Sequence, residues 1–249
     1  MPAQIYILLL IISFLLTASL RYYAFQNDVI DVPNDRSSHT TPTPRGGGLA
    51  IVITFISGLL FSTFLGTFES KILLFFCVAG TLVAAIGWID DHQHVSARWR
   101  LLVHFFAACL IVFGSGGLPV LIMFNYSVDL GLLGFPIAVI SLVWLLNLYN
   151  FMDGIDGLAG SQAVVSTAVM GLLTIVFFNQ ADIASIHWLM TASALGFLFW
   201  NIPPAKIFMG DAGSGFLGLM LGGLLMLSAQ LDQLLFWAWL IMLGFFVVD

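Results

Sequence analysis

The stretch richest in chemistry runs Asn147-Leu148-Tyr149-Asn150-Phe151-Met152-Asp153-Gly154-Ile155-Asp156-Gly157. Polar side chains recur at every third position. At about 100° per residue, Asn147, Asn150 and Asp153 share one face of a helix end, and Asp156 drifts beyond it. Gly154 and Gly157 then free the backbone to turn. Three other stretches carry similar chemistry. Asp90 and Asp91 are adjacent where an apolar run stops, and His92, His94, Arg98 and Arg100 follow them. Two neighbouring carboxylates repel each other, so at a membrane boundary they need a cation, basic neighbours or water. In the stretch from Asn201 to Ser214, Pro203 and Pro204 end one helix and Gly210-Asp211-Ala212-Gly213-Ser214 opens another. Backbone N–H groups at such an opening favour an anion. Lys206 adds positive charge there and Phe208 offers an aromatic plate. Finally, Arg45 precedes Gly46-Gly47-Gly48, a run that lets backbone donors approach an anion closely. Each stretch alone also fits a plainer role: a solvated helix end, a turn with an N-cap, or a flexible entry to a helix.

Together these residues supply hard oxygen ligands, amides, several cations and an aromatic surface. Oxygen-rich, sulfur-free sets suit Mg²⁺ or Mn²⁺, which bind through one or two carboxylates plus substrate phosphates. Phosphoryl transfer calls for that combination of positioning and charge neutralisation. The expected reaction joins a cytoplasmic phosphorylated substrate to a membrane-borne acceptor.

The elements that must hold these residues are membrane helices. The 249 residues are 60% hydrophobic and 8% charged, against about 25% charged in a soluble domain, and the mean hydropathy is +1.06. So much apolar surface needs lipid as its solvent. No basic face of the kind nucleic acid requires is present. Cys77 and Cys109 lie in apolar runs without metal-ligand spacing and read as small hydrophobes. Apolar runs at 3–24, 48–66, 72–89, 101–118, 131–149, 161–178, 184–200, 214–230 and 234–248 predict nine spans, with 119–130 as a loop. The expected fold is therefore an all-α polytopic transmembrane bundle forming a single membrane-embedded domain over 1–249. The first run has no Lys or Arg before it and Arg21 after it, the reverse of a secretory signal, so it reads as a retained span.

Breaks after odd-numbered spans hold Arg21, Arg36, Arg45, Arg98, Arg100 and Lys206, whereas breaks after even-numbered spans hold only Lys71. The positive-inside bias places the odd loops in the cytoplasm and the N-terminus outside. The same loops carry Asp28, Asp31, Asp35, Asp90, Asp91, Asp153, Asp156 and Asp211. The other side keeps Glu69, Asp129, Asp182 and Asp232. Trp144, Trp188 and Trp200 read as interface anchors, and Gly218, Gly222 and Gly223 as a face for close helix packing.

These stretches, in this order, resemble the polyprenyl-phosphate N-acetylhexosamine-1-phosphate transferases, glycosyltransferase family 4. That family includes phospho-MurNAc-pentapeptide transferase and enzymes that start O-antigen, teichoic acid and N-glycan lipid intermediates. The resemblance is carried by residues 42–48, Asp90–Asp91, 147–158 and 201–214. The run from Asp90 to Arg100 is most similar to bacterial O-antigen-initiating members, some of which use 6-deoxy-N-acetylhexosamines. The resemblance implies Mg²⁺-dependent transfer of a sugar-1-phosphate from a UDP-N-acetyl sugar to undecaprenyl phosphate, with release of UMP, in a bacterial inner membrane. It implies that Asp211 ligates Mg²⁺ with Asp153, and that Phe208 stacks on uracil. Asp90, with Asp91 beside it, would deprotonate or orient the lipid phosphate. Asn147, Asn150, Asp153 and Asp156 would line the nucleotide and metal site, joined by Arg45, Asn201 and Lys206. A homodimer is also implied.

Family members carry about ten spans and a His- and Arg-bearing cytoplasmic loop before the last. Here the ninth run ends at Asp249, so the expectation is a chain lacking that loop and the final span. His39, His92, His94, His104 and His187 stand elsewhere. Two other readings stay open at this point: a transporter, since intramembrane acids also mark ion pathways, and an inactive paralogue that binds lipid or partners.

Overall fold

The computed structural model describes residues 1–33, 41–66, 70–123 and 126–248. Asp35, Arg36, His39, Glu69 and Asp249, named above, lie outside the described residues. In chain order the elements are α1 (Ala3–Gln26), β1 (Ile30–Asp31), β2 (Thr43–Pro44), α2 (Leu49–Phe64), α3 (Ser70–His92), α4 (Ala97–Ser115), β3 (Leu121–Met123), β4 (Tyr126–Val128), α5 (Gly134–Met152), α6 (Leu158–Phe178), α7 (Ala181–Asn201), α8 (Asp211–Ala229) and α9 (Gln233–Val248). A single 3-10 turn, Gly131–Leu133, leads into α5. Seven of these helices are long and apolar enough to cross a membrane, and Leu49–Phe64 and Gln233–Phe246 are shorter apolar helices. The protein is an all-α polytopic membrane bundle. Helices dominate because lipid offers no partner for backbone N–H and C=O groups, so each segment must satisfy its own.

The helix ends depart from the expected spans in both directions: α2 is shorter at each end, α4 stops at Ser115 and α5 starts at Gly134, whereas other ends are longer. α3 runs on to His92 and α5 to Met152, while α4, α6, α7 and α8 begin three or four residues earlier than hydropathy alone placed them. Asp90, Asp91, Asn147, Asn150 and Asp211 therefore stand on helices rather than in loops. Hydropathy locates the apolar run, whereas the helix continues until its last carbonyls and first N–H groups find caps. The segment read as a loop at 119–130 instead contains an antiparallel hairpin in which Leu121 pairs with Val128 and Ile122 with Ser127.

α8 is the axis of the bundle. Every residue from Ala212 to Ala229 is buried, and α8 packs against α3, α4, α5 and α9. α1 is its opposite: Ile7, Leu8, Ile11 and Leu15 are exposed to the surroundings, as expected for a lipid-facing helix. The central position of α8 depends on its glycines. A Cβ at Gly218 would lie 2.7 Å from Leu146 Cα and 2.8 Å from Tyr149 Cβ on α5, and one at Gly222 would lie 2.3 Å from Leu142 Cδ2. These small residues set the α5–α8 distance, the usual device for close approach in membranes. Gly218→Ala should therefore push α5 off α8 at a cost of about 1–3 kcal/mol. The check is thermal unfolding in detergent beside Gly244→Ala, where nothing lies within 4 Å of the new Cβ and no change is expected.

Because successive helices run antiparallel, the C-terminal ends of α1, α3, α5 and α7 meet the N-terminal ends of α2, α4, α6 and α8 at one end of the bundle. Both cysteines are unpaired.

Candidate functional site

At that end the helix termini cap one another. The Asp91 side chain on α3 is fully buried. It accepts from the backbone N–H of Asp211 at 3.1 Å and of Ala212 at 3.4 Å. A carboxylate from another helix thus caps α8, satisfying donors that have no intrahelical partner. The same carboxylate accepts two bonds from Arg45, from Nε at 3.2 Å and Nη2 at 3.1 Å. Gly210 (φ +77°) supplies the turn, and a Cβ there would meet Asp91 Oδ2 at 2.6 Å. Its neighbour Asp90 accepts from the N–H of Val95 at 2.8 Å, closing the turn into α4.

Arg100, on the first turns of α4, ties this corner together. Its Nη1 donates to Asp90 Oδ2 and, at 3.1 Å, to Asp211 Oδ2. This guanidinium contacts both carboxylates and offsets their mutual repulsion. Arg45 and Arg100 thus each neutralise one member of the adjacent acid pair.

Asn201 performs a matching task on the far side. It is buried, its Oδ1 accepts from Gly157 N–H at 3.0 Å, and its Nδ2 donates to the Ile207 carbonyl at 3.0 Å. It therefore caps α6 and pins the 202–210 loop. Asp156 accepts from Ala205 N–H at 2.8 Å, a second tie to that loop. Two donors of the glycine run after Arg45 are turned to the protein and not to an anion. Gly47 N–H donates to the Phe208 carbonyl at 2.9 Å and Gly48 N–H to the Met209 carbonyl at 2.8 Å, while Phe208 N–H donates to Pro44. Glycine is required here for another reason: a Cβ at Gly48 would lie 2.4 Å from Gly213 Cα. The run lets the start of α2 lie against the start of α8.

These ties frame a cleft of about 360 Å³ lined by Asp31, Arg45, Asn150, Phe151, Asp153, Gly154, Ile155, Asp156, Asn201, Phe208, Met209, Gly210, Asp211 and Ser214. Seven of the residues singled out from sequence line it: Arg45, Asn150, Asp153, Asp156, Asn201, Phe208 and Asp211. Asp90 and Asp91 stand behind its wall, bonded as described. Asn147 lines a smaller pocket of about 50 Å³ with Ile86, Gly87, Arg100, His104, Asn150 and Asp211. Lys206 is not brought to the cleft. Its ammonium lies 5.5 Å from the Trp200 ring centre, and its carbonyl accepts from Arg21 at 3.1 Å. Trp200 in turn donates to the Phe14 carbonyl. Asp31, Arg100, His104 and Ser214 belong to the cleft or its flank and were given no role in the site from the sequence. Asp31 gets there through a ladder pairing it with Thr43 beside Arg45.

Asp153 is electrostatically the most exposed member to its neighbours. Loss of surrounding water, then the negative charges of Asp211, Asp91 and Asp156, raise its pKa well above the ordinary carboxylate value. No cation pairs with it among the described residues. Nor, among these residues, do three His, Cys, Asp or Glu side chains converge to hold a metal ion by themselves. An oxygen-only set with surplus negative charge fits a divalent cation completed by substrate oxygens. Without a cation, the raised pKa means the folded state holds a proton more tightly than the unfolded one. Stability should then fall as pH rises above the ordinary carboxylate range. Asp153→Asn is expected to raise the thermal midpoint of metal-free protein by about 2–4 °C at neutral pH and to flatten that decline. Unfolding scans in EDTA at several pH values provide the check.

With the site described, its likeness to known proteins becomes informative. Residues 72–229 match the family model described as Glycosyl transferase family 4. The chain is 32% identical over 238 residues to a Bacillus subtilis (strain 168) protein named "Probable undecaprenyl-phosphate N-acetylglucosaminyl 1-phosphate transferase", covering 93% of this chain and 64% of that protein. It is 32% identical over 237 residues to the decaprenyl-phosphate N-acetylglucosaminephosphotransferase of Mycolicibacterium smegmatis, covering 85% and 56%. It is 33% identical over 227 residues to the phospho-N-acetylmuramoyl-pentapeptide-transferase of Prochlorococcus marinus, covering 84% and 60%. The chain thus spans between 56% and 64% of the length of these relatives. The matched region runs from α3 through α8 and contains both adjacent acids, the α5–α6 turn and Asp211, and on this ground the chain belongs to glycosyl transferase family 4.

Proposed function

We propose that this protein transfers an N-acetylhexosamine-1-phosphate from a UDP-sugar to undecaprenyl phosphate and releases UMP. The observation that carries the reading is the cleft itself, where Asp153, Asp156 and Asp211 face Arg45 and Phe208 at the end of the bundle. The names of the relatives, each a polyprenyl-phosphate or phospho-sugar transferase, support the same class of substrates. In this reading the lipid phosphate oxygen attacks the β-phosphorus of the UDP-sugar. The bond from that phosphorus to the oxygen bridging it to the α-phosphate breaks, and UMP leaves with the electron pair.

The chain's own residues divide the work. Arg45 and the N-terminus of α8 attract the diphosphate. Phe208 offers its ring to the uracil, and Asn150 and Asp156 border the nucleotide. Asp90, fixed by Arg100, faces the acceptor phosphate, and Asp91 holds Arg45 and α8 in place. Asp211 and Asp153 would hold Mg²⁺, or Mn²⁺, which neutralises developing phosphoryl charge when bound. The setting is a bacterial inner membrane, with the cleft on the cytoplasmic face, the N-terminus outside and two copies associated. The pathway is the initiation of O-antigen or another envelope polysaccharide, and a 6-deoxy-N-acetylhexosamine falls within the donor class.

The test is incorporation of sugar label from UDP-N-acetyl sugars into undecaprenyl phosphate by membranes containing the protein. Mg²⁺-dependent incorporation abolished by EDTA is expected. Label crossing the membrane unattached to lipid would instead favour a transporter, and binding without turnover an inactive paralogue.

A further inference from the structure

Behind the cleft, the small pocket between α3, α4, α5 and α8 contains a feature that the transfer reading does not use. His104 lies one helical turn after Arg100 on α4 and forms part of the pocket wall. It is 8% exposed, and its Nδ1 is buried with no hydrogen-bond partner among the described residues. Its ring also faces the Asn147 amide. Asn147 donates its Nδ2 to the Val143 carbonyl at 2.7 Å, so its oxygen is the atom left to accept from the imidazole. The ring then donates to Asn147 with one nitrogen and keeps an acceptor lone pair on the other. A buried acceptor without a donor forfeits the hydration it would have in water, so this nitrogen calls for a donor.

No neighbouring side chain supplies one in the described arrangement, but the pocket does have room. Its volume of about 50 Å³ accommodates several waters, since one needs about 10–15 Å³ on this measure. Its walls offer the partners a water requires: the Asp211 carboxylate, the Asn150 amide and the Arg100 guanidinium. We infer that this pocket is an ordered-water site through which His104 acts as a positioning residue for Asp211, which lines the cleft, and for its partner Arg100. A water donating to His104 and to Asp211 fixes the carboxylate from behind, while Arg100 fixes it from the side at 3.1 Å. The inference rests on the reading of Asp211 as a metal ligand. Groups of this outer kind orient ligands and tune the affinity of the site.

The experiment measures Mn²⁺ binding to the purified protein by electron paramagnetic resonance, with and without a UDP-N-acetyl sugar and in the absence of undecaprenyl phosphate, alongside thermal unfolding in EDTA. His104→Leu retains bulk but offers neither donor nor acceptor. His104→Gln retains both. Mn²⁺ affinity should fall about tenfold in His104→Leu and return to within about threefold of wild type in His104→Gln. The metal-free thermal midpoint should not follow the same order, because a purely structural histidine would move that midpoint and leave affinity alone. Wild-type Mn²⁺ affinity in folded His104→Leu overturns the inference, as does a loss that His104→Gln fails to restore. A folded wild-type protein that binds no Mn²⁺ even with the UDP-sugar present overturns the metal-dependent transfer reading itself, which separates the two failures.

Discussion

Asp211→Asn is expected to lower sugar-phosphate transfer by three orders of magnitude or more while leaving the fold intact. The substitution keeps the size of the side chain at the first position of α8 and removes only its charge. Arg100 retains Asp90 as a partner, and Asp91 still caps α8 through backbone N–H groups. The lost Arg100–Asp211 pair is partly open to solvent, with side chains 35% and 26% exposed, and pairs of that kind contribute about 0–1 kcal/mol. Thermal unfolding should therefore change little. Catalysis should suffer far more, because Asp211 would hold the cation whose positive charge offsets developing phosphoryl charge by several kcal/mol, and each 1.36 kcal/mol is about tenfold in rate. Parallel assays of label transfer and thermal midpoint are the check, and a variant that loses both together would mark Asp211 as structural.

Asp91→Asn should produce the opposite signature. This side chain has no exposure and accepts four hydrogen bonds, two from Arg45 and two from the start of α8. An amide cannot accept on both sides, and its NH₂ would face donors. Breaking a buried charge pair by changing one partner costs about 3–5 kcal/mol. The expected result is a lowered thermal midpoint together with loss of transfer, and a yield of folded protein too low for stable membranes in Asp91→Ala. Two adjacent acids of the same sequence motif would thus fail in different ways. Asp90→Asn should keep the fold, since Asp90, near the end of α3, is held by one backbone bond and one guanidinium, and should lose activity without the midpoint falling.

That contrast shows what the sequence could and could not convey. The bundle itself was legible, because apolar runs at membrane length admit few other structures. The face expected to bear Asn147, Asn150 and Asp153 was legible in part: Asn150 and Asp153 line the cleft, whereas Asn147 lines the smaller pocket and Asp156, expected to drift beyond that face, reaches the cleft from the turn after α5. The different roles of Asp90 and Asp91 were not. One helical step of about 100° turns Asp91 inward to α8 and leaves Asp90 toward α4, and nothing local to two identical residues reports that. Arg100 read as topology-setting charge, and its bridge to Asp211 joins residues far apart in sequence. The donors of Gly47 and Gly48 looked available because their acceptors, Phe208 and Met209, belong to a distant loop. Lys206 looked like an anion partner, yet an exposed ammonium beside Trp200 finds a cation–π contact instead. Several helix ends were placed short for a related reason: caps such as Asn201 for α6 come from other helices.

The geometry also bears on the transporter alternative. Transporters place acids and broken helices near the bilayer midplane. Here Asp90, Asp91, Asp153, Asp156 and Asp211 gather where helices end and begin, at one end of the bundle. The interior of α8 carries no acid between Ala212 and Ala229.

The central claim is that the site moves a phosphoryl-linked sugar, breaking the diphosphate and leaving the bond between sugar and phosphate whole. A UDP-N-acetyl sugar radiolabelled in its β-phosphate, supplied with undecaprenyl phosphate and Mg²⁺, tests this most directly. The account predicts that the label passes to the lipid and that unlabelled UMP accumulates in equal amount. Label recovered in UDP, with unlabelled sugar on the lipid, would contradict it.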